Sequence, residues 1–314
     1  MGLLRRLAFA GYLLLLGSLV LAEPPAMPLL SSGDSLLVVS PHPDDETLCC
    51  GGYIHASVKA GVRAYVVWIT SGDGYWRAAA TRFKKLSPTA ADYRRLGRLR
   101  MREARAAGNR LGLADGDLIF LGFPDGGIAH LFDLNYLRPY TSPYTGWSSV
   151  GYRASPVFGS PYTGMKLEAA LASIIRRIKP ALILIPAMED EHPDHWGTAK
   201  FAMSAALEAG LGAAVCRWVV HGRYGWPFPM GYSPESSMGF PPVGGAHEWS
   251  RFVLAADDEE AKMEALLEYG SQVTVMRAFL TSFIRRDELF ACGSPDYLRS
   301  ISRSEVSERR GSSW

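Results

Sequence analysis

Residues 37–46 read LVVSPHPDDE, an apolar run that ends in a histidine, a proline and three carboxylates. The first residues have the apolar, β-branched character of a buried strand. An uncompensated buried carboxylate is very costly, so the polar end of this stretch needs a compensating positive charge. A divalent cation is the simplest partner. The stretch therefore predicts a strand that ends at a metal site.

A second stretch repeats these ingredients about 150 residues later. The apolar run ALILIP at 181–186 is followed by EHPDH at 191–195. In a parallel sheet, ligand sites form beyond the carboxyl ends of the strands. Because each polar motif follows a predicted strand, we expect the two motifs to meet at one edge of a sheet.

The rest of the chain alternates short apolar runs with amphipathic helical patterns. We predict strands over 36–40, 64–70, 117–121, 181–185, 215–220 and 249–255, and helices over 46–59, 89–111, 165–178, 197–209 and 257–272, the last one capped by Asp257. This alternation predicts an α/β fold, a doubly wound, mostly parallel sheet with helices on both faces.

The 314 residues are interpreted as one domain over 34–298, followed by a polar tail over 299–314. Two long segments rich in Pro, Gly and aromatic residues, near 132–164 and 222–245, interrupt the alternation as loop insertions. Loops of this length are usually functional or disordered. Tyr140, Tyr144 and Trp226 are candidates for stacking on sugar faces. The alternative is that the two loops only cover the protein surface and that their side chains pack against one another.

The amino terminus has the layout of a secretory signal. Arg5 and Arg6 precede an apolar run over 7–21, which Ala22 follows. We therefore predict a signal peptide over 1–22, a linker over 23–33 and an exported protein, secreted or periplasmic. The alternative is an uncleaved membrane anchor, the chain's one predicted contact with a membrane, although about fifteen apolar residues is short for a spanning helix.

The amino-acid composition limits which binding partners and which cysteine chemistry are expected. The 33 Lys and Arg nearly balance the 31 Asp and Glu, so no overall field attracts nucleic acid, and no nucleic-acid partner is predicted. Cys49, Cys50, Cys216 and Cys292 are too few for a disulfide framework and lack the spacing of a zinc site. We predict that they are core residues or form at most one disulfide.

The two motifs together supply a hydrolytic metal site. Zinc binds imidazole nitrogen and carboxylate oxygen, and a catalytic zinc keeps three protein ligands and one position for water. His42, Asp45 and His195 are the predicted ligands. A bound cation lowers the pKa of its water to about 7 and polarises a substrate oxygen, which suits attack on an amide or ester carbonyl. The sequence has no Gly-x-Ser-x-Gly elbow, so a serine nucleophile lacks support.

The other polar residues of the motifs are predicted to assist. Asp44, next to a ligand, is free to take a proton from the water. His192 is the acid or the oxyanion partner, and Asp194 holds and tunes an imidazole.

The motifs His42-Pro43-Asp44-Asp45-Glu46 and His192-Pro193-Asp194-His195, in this order, resemble the paired signature of the LmbE/PIG-L family of zinc-dependent N-acetylglucosaminyl deacetylases. The resemblance extends over about 37–272. Its supporting matches are Thr70-Ser71-Gly72, Arg100, Glu103, Ala107, Leu111-Gly112, Leu121-Gly122, Asp125-Gly126, Asp190, Lys262, Ala265, Tyr269 and Gln272.

The resemblance implies a Rossmann-like fold and Zn²⁺, or another divalent metal, held by the three predicted ligands. It implies Asp44 as the general base and His192 as the group that stabilises the oxyanion. It also implies that Arg100 and Asp125 contact the sugar of an N-acetylated amino sugar or glycoconjugate. For Arg100 the alternative is a solvated helix face.

Two function classes follow. The first is a metal-dependent hydrolase that removes an acetyl group from an N-acetylglucosamine-type substrate by attack of zinc-bound water. The second is an exported glycan-binding protein on the same fold without turnover. His55, His130, His221 and His247 are predicted to be ordinary polar residues, with His247 also a candidate for lining the site. Tyr269 and Gln272 are predicted to hold the last helix against the site.

Overall fold

The computed structural model describes residues 25–210, 212–243 and 249–293. The predicted signal peptide, the polar tail and His247 lie outside these residues. The described chain forms one seven-stranded sheet in the order β3-β2-β1-β4-β5-β7-β6. Its strands are Ser35–Ser40 (β1), Arg63–Thr70 (β2), Leu118–Phe123 (β3), Leu182–Pro186 (β4), Ala214–Trp218 (β5), Trp249–Val253 (β6) and Asp287–Gly293 (β7).

The first five strands run parallel, whereas β7 lies antiparallel to both β5 and β6. The helices are Asp45–Lys59 (α1), Trp76–Phe83 (α2), Ala90–Arg110 (α3), Ile128–Phe132 (α4), Gly164–Ile178 (α5), Pro193–Glu208 (α6), Ala256–Glu268 (α7) and Gly270–Thr281 (α8). The predicted α/β class, with a doubly wound, mostly parallel sheet, is confirmed.

Alternate residues of each central strand face opposite layers of helices. In β1, Leu36 and Val38 pack into a core that includes residues of α1, α3 and α7. Leu37 and Val39 pack into a second core formed with α5 and α6. All four side chains are fully buried, which is why the strand sequence is apolar without alternation.

Helix ends follow local capping chemistry. Thr89 and Asp92 form a reciprocal capping box at the start of α3, which agrees with the predicted boundary. The helix after the second motif begins at Pro193 and not at Gly197, because His192 caps it and proline is well suited to the first helical position. The second motif is therefore the first turn of α6.

Strand β7 was absent from the sequence prediction. Its first residues, Asp287 and Glu288, are charged, so its pattern does not read as a buried strand. Both are buried nonetheless. The Glu288 carboxylate accepts hydrogen bonds from the backbone of Gly52 and Tyr53 and pairs with Lys262. These long-range partners have no local sequence signature.

The helix predicted over 257–272 is two helices that meet at Tyr269. The predicted cap at Asp257 is wrong, because Ala255 occupies the N-cap position. Asp257 lies in the first turn, where its carboxylate pairs with Lys59 at 2.5 Å. This position near the positive end of the helix dipole still favours a carboxylate.

Part of the predicted linker is packed against the sheet edge. Met27 is buried, and its backbone N–H donates to the Arg251 carbonyl at 2.8 Å.

Cys216 and Cys292, opposite each other on β5 and β7, form a disulfide, and Cys49 and Cys50 are free and buried. Within the described residues, no helix is both long and apolar enough to cross a membrane.

Candidate active site

The two motifs meet at the carboxyl ends of β1 and β4. These strands are neighbours in the sheet, although their motifs are about 150 residues apart. From β1 the sheet continues to β2 and β3 on one side, and from β4 to β5 on the other. This reversal of strand order is where α/β sheets bind ligands.

The two histidines among the predicted metal ligands both face one carboxylate oxygen of the third ligand, Asp45. Asp45 Oδ2 lies 3.1 Å from His42 Nδ1 and 3.2 Å from His195 Nε2. The two imidazole centroids are 5.3 Å apart. All three side chains are buried. The structure thus brings together the three residues that the sequence selected, with a nitrogen of each imidazole within 3.2 Å of Asp45 Oδ2.

Carboxylates behind the imidazoles fix their orientation. Asp190 Oδ2 lies 3.1 Å from His195 Nδ1, which leaves Nε2 free to face Asp45. Asp194 Oδ2 lies 3.1 Å from His42 Nε2 and also accepts from the backbone N–H of Gly126. Such carboxylate–imidazole pairs are typical behind metal-binding histidines.

This donor set fits a divalent cation. The buried His195 Nε2 has no hydrogen-bond partner among the described residues. Burial lowers the His195 pKa, but Asp190 and Asp45 outweigh it and raise the pKa to about 9. The same carboxylate charge that attracts a proton here attracts a cation. Two imidazoles and a carboxylate are a ligand set that zinc accepts.

Asp44 occupies a strained backbone position just before α1, with φ of 120°. A non-glycine residue is rarely found there, and such strain is often retained at functional sites. Its carboxylate is buried and lies 3.1 Å from Arg100 Nη2. Burial raises the Asp44 pKa to about 8, against the opposing effect of Arg100. A carboxyl group with such a pKa can gain and lose a proton near neutral pH.

Arg100 is buried on the inner face of α3, so the alternative of a solvated helix face is wrong. Its guanidinium donates to the Pro43 carbonyl and, at 3.0 Å, to the Gly72 carbonyl. It also lines the cavity above Asp44. The structure therefore connects Arg100 to the first motif, and sugar contact stays a prediction.

Asp125 lies at the same edge, after β3. Its Oδ1 is 3.2 Å from His42 Nε2, and its Oδ2 accepts from the Gly74 backbone N–H at 2.5 Å. Burial alone would raise the Asp125 pKa, but the hydrogen bond and charge of His42 outweigh burial and lower it. Asp125 is thus an ionised acceptor on the cavity wall.

His192 faces the cavity from the cap of α6. Its Nδ1 accepts a hydrogen bond from the Asp194 backbone N–H at 3.2 Å. The ring centroid is 4.8 Å from that of His42. Burial, followed by the nearby imidazoles of His42 and His195, lowers the His192 pKa to about 4. A neutral ring that accepts at Nδ1 carries its proton at Nε2, and can donate it.

His221 was predicted to be an ordinary polar residue, but the structure places it beside the predicted metal ligands. It lies just beyond β5 and lines the cavity, with its ring 4.8 Å from that of His195. With Asp45 and His195 it forms a group of side chains that could hold a metal ion. The available signal was positional, since His221 directly follows a predicted parallel strand.

The site opens into a cavity of about 510 Å³, a volume typical of small-molecule sites. Its floor carries the motif residues, and its walls include Leu48, Tyr75, Tyr144, Met276 and Phe279. Of the aromatic loop candidates, Tyr144 lines this cavity. Tyr140 instead stacks on His130, and Trp226 packs against Phe283.

The predicted supports of the last helix lie beside the site. The Tyr269 hydroxyl donates to Glu46 Oε1, and the indole N–H of Trp68 donates to Glu46 Oε2 at 2.8 Å. Glu46 thereby ties the start of α1 to the junction of α7 and α8. Gln272, one turn into α8, lines the cavity.

Comparison with solved structures supports the fold. The A40926 pseudoaglycone deacetylase Dbv21 is 19% identical with a TM-score of 0.53, over 82% of this chain and 96% of that one. The N,N′-diacetylchitobiose deacetylase from Pyrococcus horikoshii is 18% identical with a TM-score of 0.51, over 83% of this chain and 84% of that one.

Two curated proteins are similar in sequence. The 1D-myo-inositol 2-acetamido-2-deoxy-α-D-glucopyranoside deacetylase of Mycolicibacterium smegmatis is 27% identical over 276 residues, 80% of this chain and 82% of that protein. The 1D-myo-inositol 2-acetamido-2-deoxy-α-D-glucopyranoside deacetylase 1 of Saccharopolyspora erythraea is 30% identical over 186 residues, which are 57% of this chain and 55% of that protein.

The family model described as PIG-L, GlcNAc-PI de-N-acetylase, matches residues 37–206. This range holds both polar motifs and is more than half of the chain. The predicted resemblance is confirmed, and the chain belongs to the PIG-L family.

Proposed function

We propose that this protein is a metal-dependent hydrolase that removes the acetyl group from an N-acetylglucosamine-type amino sugar or glycoconjugate. The observation that carries the proposal is the convergence of His42 and His195 on Asp45 Oδ2 beside the cavity, with the buried His195 Nε2 facing that oxygen at 3.2 Å. Two curated relatives named as deacetylases of an acetamido-glucopyranoside support the substrate class.

His42, Asp45 and His195 would hold Zn²⁺ or another divalent cation. When bound, the cation supplies Lewis acidity that activates water and polarises an amide carbonyl. Asp44 accepts the proton that the attacking water loses, and it can return this proton to the departing amine. The products are acetate and the free amino sugar. Arg100 keeps the Asp44 carboxylate oriented and stabilises its ionised form.

His192 donates a hydrogen bond to the carbonyl oxygen as negative charge develops on it. The Asp194 backbone N–H occupies Nδ1, which leaves the N–H at Nε2 for this task. Because burial and the neighbouring imidazoles lower its pKa to about 4, the ring donates as a neutral imidazole. A preorganised donor at this position is worth several kcal/mol in transition-state stabilisation.

The cavity wall offers polar and aromatic groups that could contact the substrate sugar. The ionised Asp125 carboxylate is an acceptor for a sugar hydroxyl, and the Arg100 guanidinium is a donor on the same cavity wall. Tyr144 offers an aromatic face. These three contacts would select a saccharide over a simple acetamide.

We further propose that the protein acts outside the cytoplasm. The signal-like pattern over 1–22 supports export. The Cys216–Cys292 disulfide agrees with it, because structural disulfides persist mainly in oxidising compartments. N-terminal sequencing of the mature protein tests this: a start near Glu23 supports cleavage, and recovery of Met1 or Gly2 contradicts it.

Acetate release tests the activity. The purified protein is assayed on chitooligosaccharides, N-acetylglucosaminyl-inositol and cell-wall fragments, each with and without a chelator. We expect release from at least one substrate, loss of release with chelator, recovery with Zn²⁺, and a fall of about 100-fold or more in Asp44→Asn. If the protein binds metal and glycan but releases no acetate, the exported glycan-binding alternative replaces the enzyme.

A further inference from the structure

His221 brings a fourth imidazole to the cation-binding floor. Its ring lies 4.8 Å from that of His195, nearly perpendicular to it, and 5.1 Å from that of His192. On its other side it stacks on Phe279 at 5.8 Å, with the ring planes within 12°. Among the described residues, none makes a hydrogen bond to its ring nitrogens. Packing therefore fixes this ring while its nitrogens stay available.

Asp190 connects His221 to the predicted ligand His195. The same carboxylate oxygen, Asp190 Oδ2, accepts from the backbone N–H groups of Val220 and His221 at 2.9 and 3.0 Å. That oxygen also lies 3.1 Å from His195 Nδ1. One buried carboxylate therefore sets the end of β5 and the His195 ring relative to each other.

A separate observation points to a cation beside these residues. His195 is fully buried, and its Nε2 has no hydrogen-bond partner in the described chain. That nitrogen is directed at Asp45 Oδ2, 3.2 Å away. A buried imidazole nitrogen and a carboxylate oxygen that face each other need a positive charge between or beside them, and a proton on the nitrogen or a bound cation supplies it.

The distances allow His221 to reach that ion. Asp45, His195 and His221 each offer one ligand atom, and these three atoms lie within 4.8 Å of one another. Ligand atoms bound at about 2.1 Å to one tetrahedral zinc are about 3.4 Å apart. Side-chain movements of up to about 1.4 Å would therefore place all three atoms around one ion.

We propose that His221 is a fourth protein ligand of the cation held by His42, Asp45 and His195, and that it approaches from the β5 side. This inference rests on the proposed cation site. A set of three imidazoles and one carboxylate favours zinc and similar transition metals over Mg²⁺ or Ca²⁺, which prefer oxygen ligands. A hydrolytic site then needs a fifth position for water, an expansion that zinc tolerates.

Metal binding without substrate tests the proposal. The dissociation constant for Zn²⁺ is measured by competition with a chromophoric chelator, and the visible spectrum is recorded with Co²⁺. His221→Phe keeps a ring to stack on Phe279 but removes the nitrogens. His130→Gln, at an exposed histidine stacked on Tyr140, is the matched control. We expect about tenfold weaker Zn²⁺ binding and a changed Co²⁺ spectrum in His221→Phe, and neither change in the control.

Circular dichroism of the metal-free proteins shows whether each variant folds, and His221→Gln replaces His221→Phe if the larger ring is not tolerated. Unchanged Zn²⁺ affinity and Co²⁺ spectrum in a folded His221 variant overturn the proposal, even if its KM for substrate rises. If His42→Ala or His195→Ala loses Zn²⁺ while the His221 variants do not, this inference alone fails. If the unaltered protein binds no cation, the proposed function fails with it.

Discussion

Asp194 Oδ2 lies 3.1 Å from Nε2 of His42, and this contact joins the first turn of α6 to the end of β1 across 152 residues of sequence. The same carboxylate accepts from the backbone N–H groups of Gly126 and Ile128, at 2.7 and 2.9 Å. The Asp194 carboxylate therefore links the segments that follow three strands, β1, β3 and β4. Its side chain is fully buried.

The first prediction concerns this carboxylate. Asp194→Asn should weaken Zn²⁺ binding by about 10- to 100-fold, because the His42 ring loses the acceptor that orients it. Chelator competition measures the affinity. The exposed Asp115→Asn serves as the control for removal of one negative charge. An Asp194→Asn protein that is folded and binds Zn²⁺ like the unaltered chain contradicts the orienting role.

The second prediction concerns the pair of Arg100 and Asp44. Burial raises the Asp44 pKa and the Arg100 guanidinium, 3.1 Å away, lowers it. Arg100→Met removes the lowering effect, so the pKa rises further and the base is ionised only at higher pH. The acid limb of the kcat/KM profile should move upward by about one pH unit or more.

The control for this variant is Arg102→Met, on the exposed side of the same helix. It removes a positive charge from α3 without touching Asp44, so its acid limb should stay in place. If Arg100→Met lowers kcat/KM equally at every pH, Arg100 does not act through the protonation of Asp44.

The third prediction concerns the aromatic wall. Tyr144→Ala should raise KM for a saccharide substrate about two- to tenfold with little change in kcat, because stacking on a ring face contributes about 0.5–1.5 kcal/mol. Tyr140→Ala is the matched control, since Tyr140 comes from the same loop but stacks on His130. Equal KM values for the two variants would mean that Tyr144 does not stack on the substrate and only covers the protein surface.

The parts of the fold that sequence reasoning found are those with local signals. The β1 and β4 runs are apolar because both faces of each strand are covered, and each ends in a polar motif that a strand end can present. His42, Asp45 and His195 were identified because their residue types and order limit the chemistry. The convergence of their donor atoms follows from the neighbouring positions of β1 and β4.

The missed parts depend on distant partners. Strand β7 was missed because Glu288 looks like a surface residue until Lys262 and the backbone of α1 surround it. The position of His221 at the site was not predicted, because its strand end lacks the cluster of histidine and carboxylate residues that marks the two motifs. Its neighbours, His195 and Phe279, come from elements far from it in sequence.

The last prediction tests the buried pair that anchors β7 to the helical layer. Lys262 Nζ lies 2.8 Å from Glu288 Oε1, and both side chains are almost completely buried. Lys262→Met leaves the Glu288 carboxylate without its counter-charge and should lower the free energy of unfolding by about 3–5 kcal/mol. Urea denaturation at pH 7 measures the loss. Lys262→Met combined with Glu288→Gln should recover most of it, because no buried charge remains.

The same pair has a pH signature with a defined sign. Burial raises the Glu288 pKa above its usual value of 4.5, and Lys262 opposes that effect. A carboxyl group whose pKa is higher in the folded protein stabilises the fold at low pH, and this contribution is lost as pH rises through the folded pKa. The stability deficit of Lys262→Met should therefore be smallest near pH 4.5 and grow toward pH 7 in urea titrations. A deficit that is constant over this range would mean that Glu288 does not titrate in the variant, and that the loss comes from packing alone.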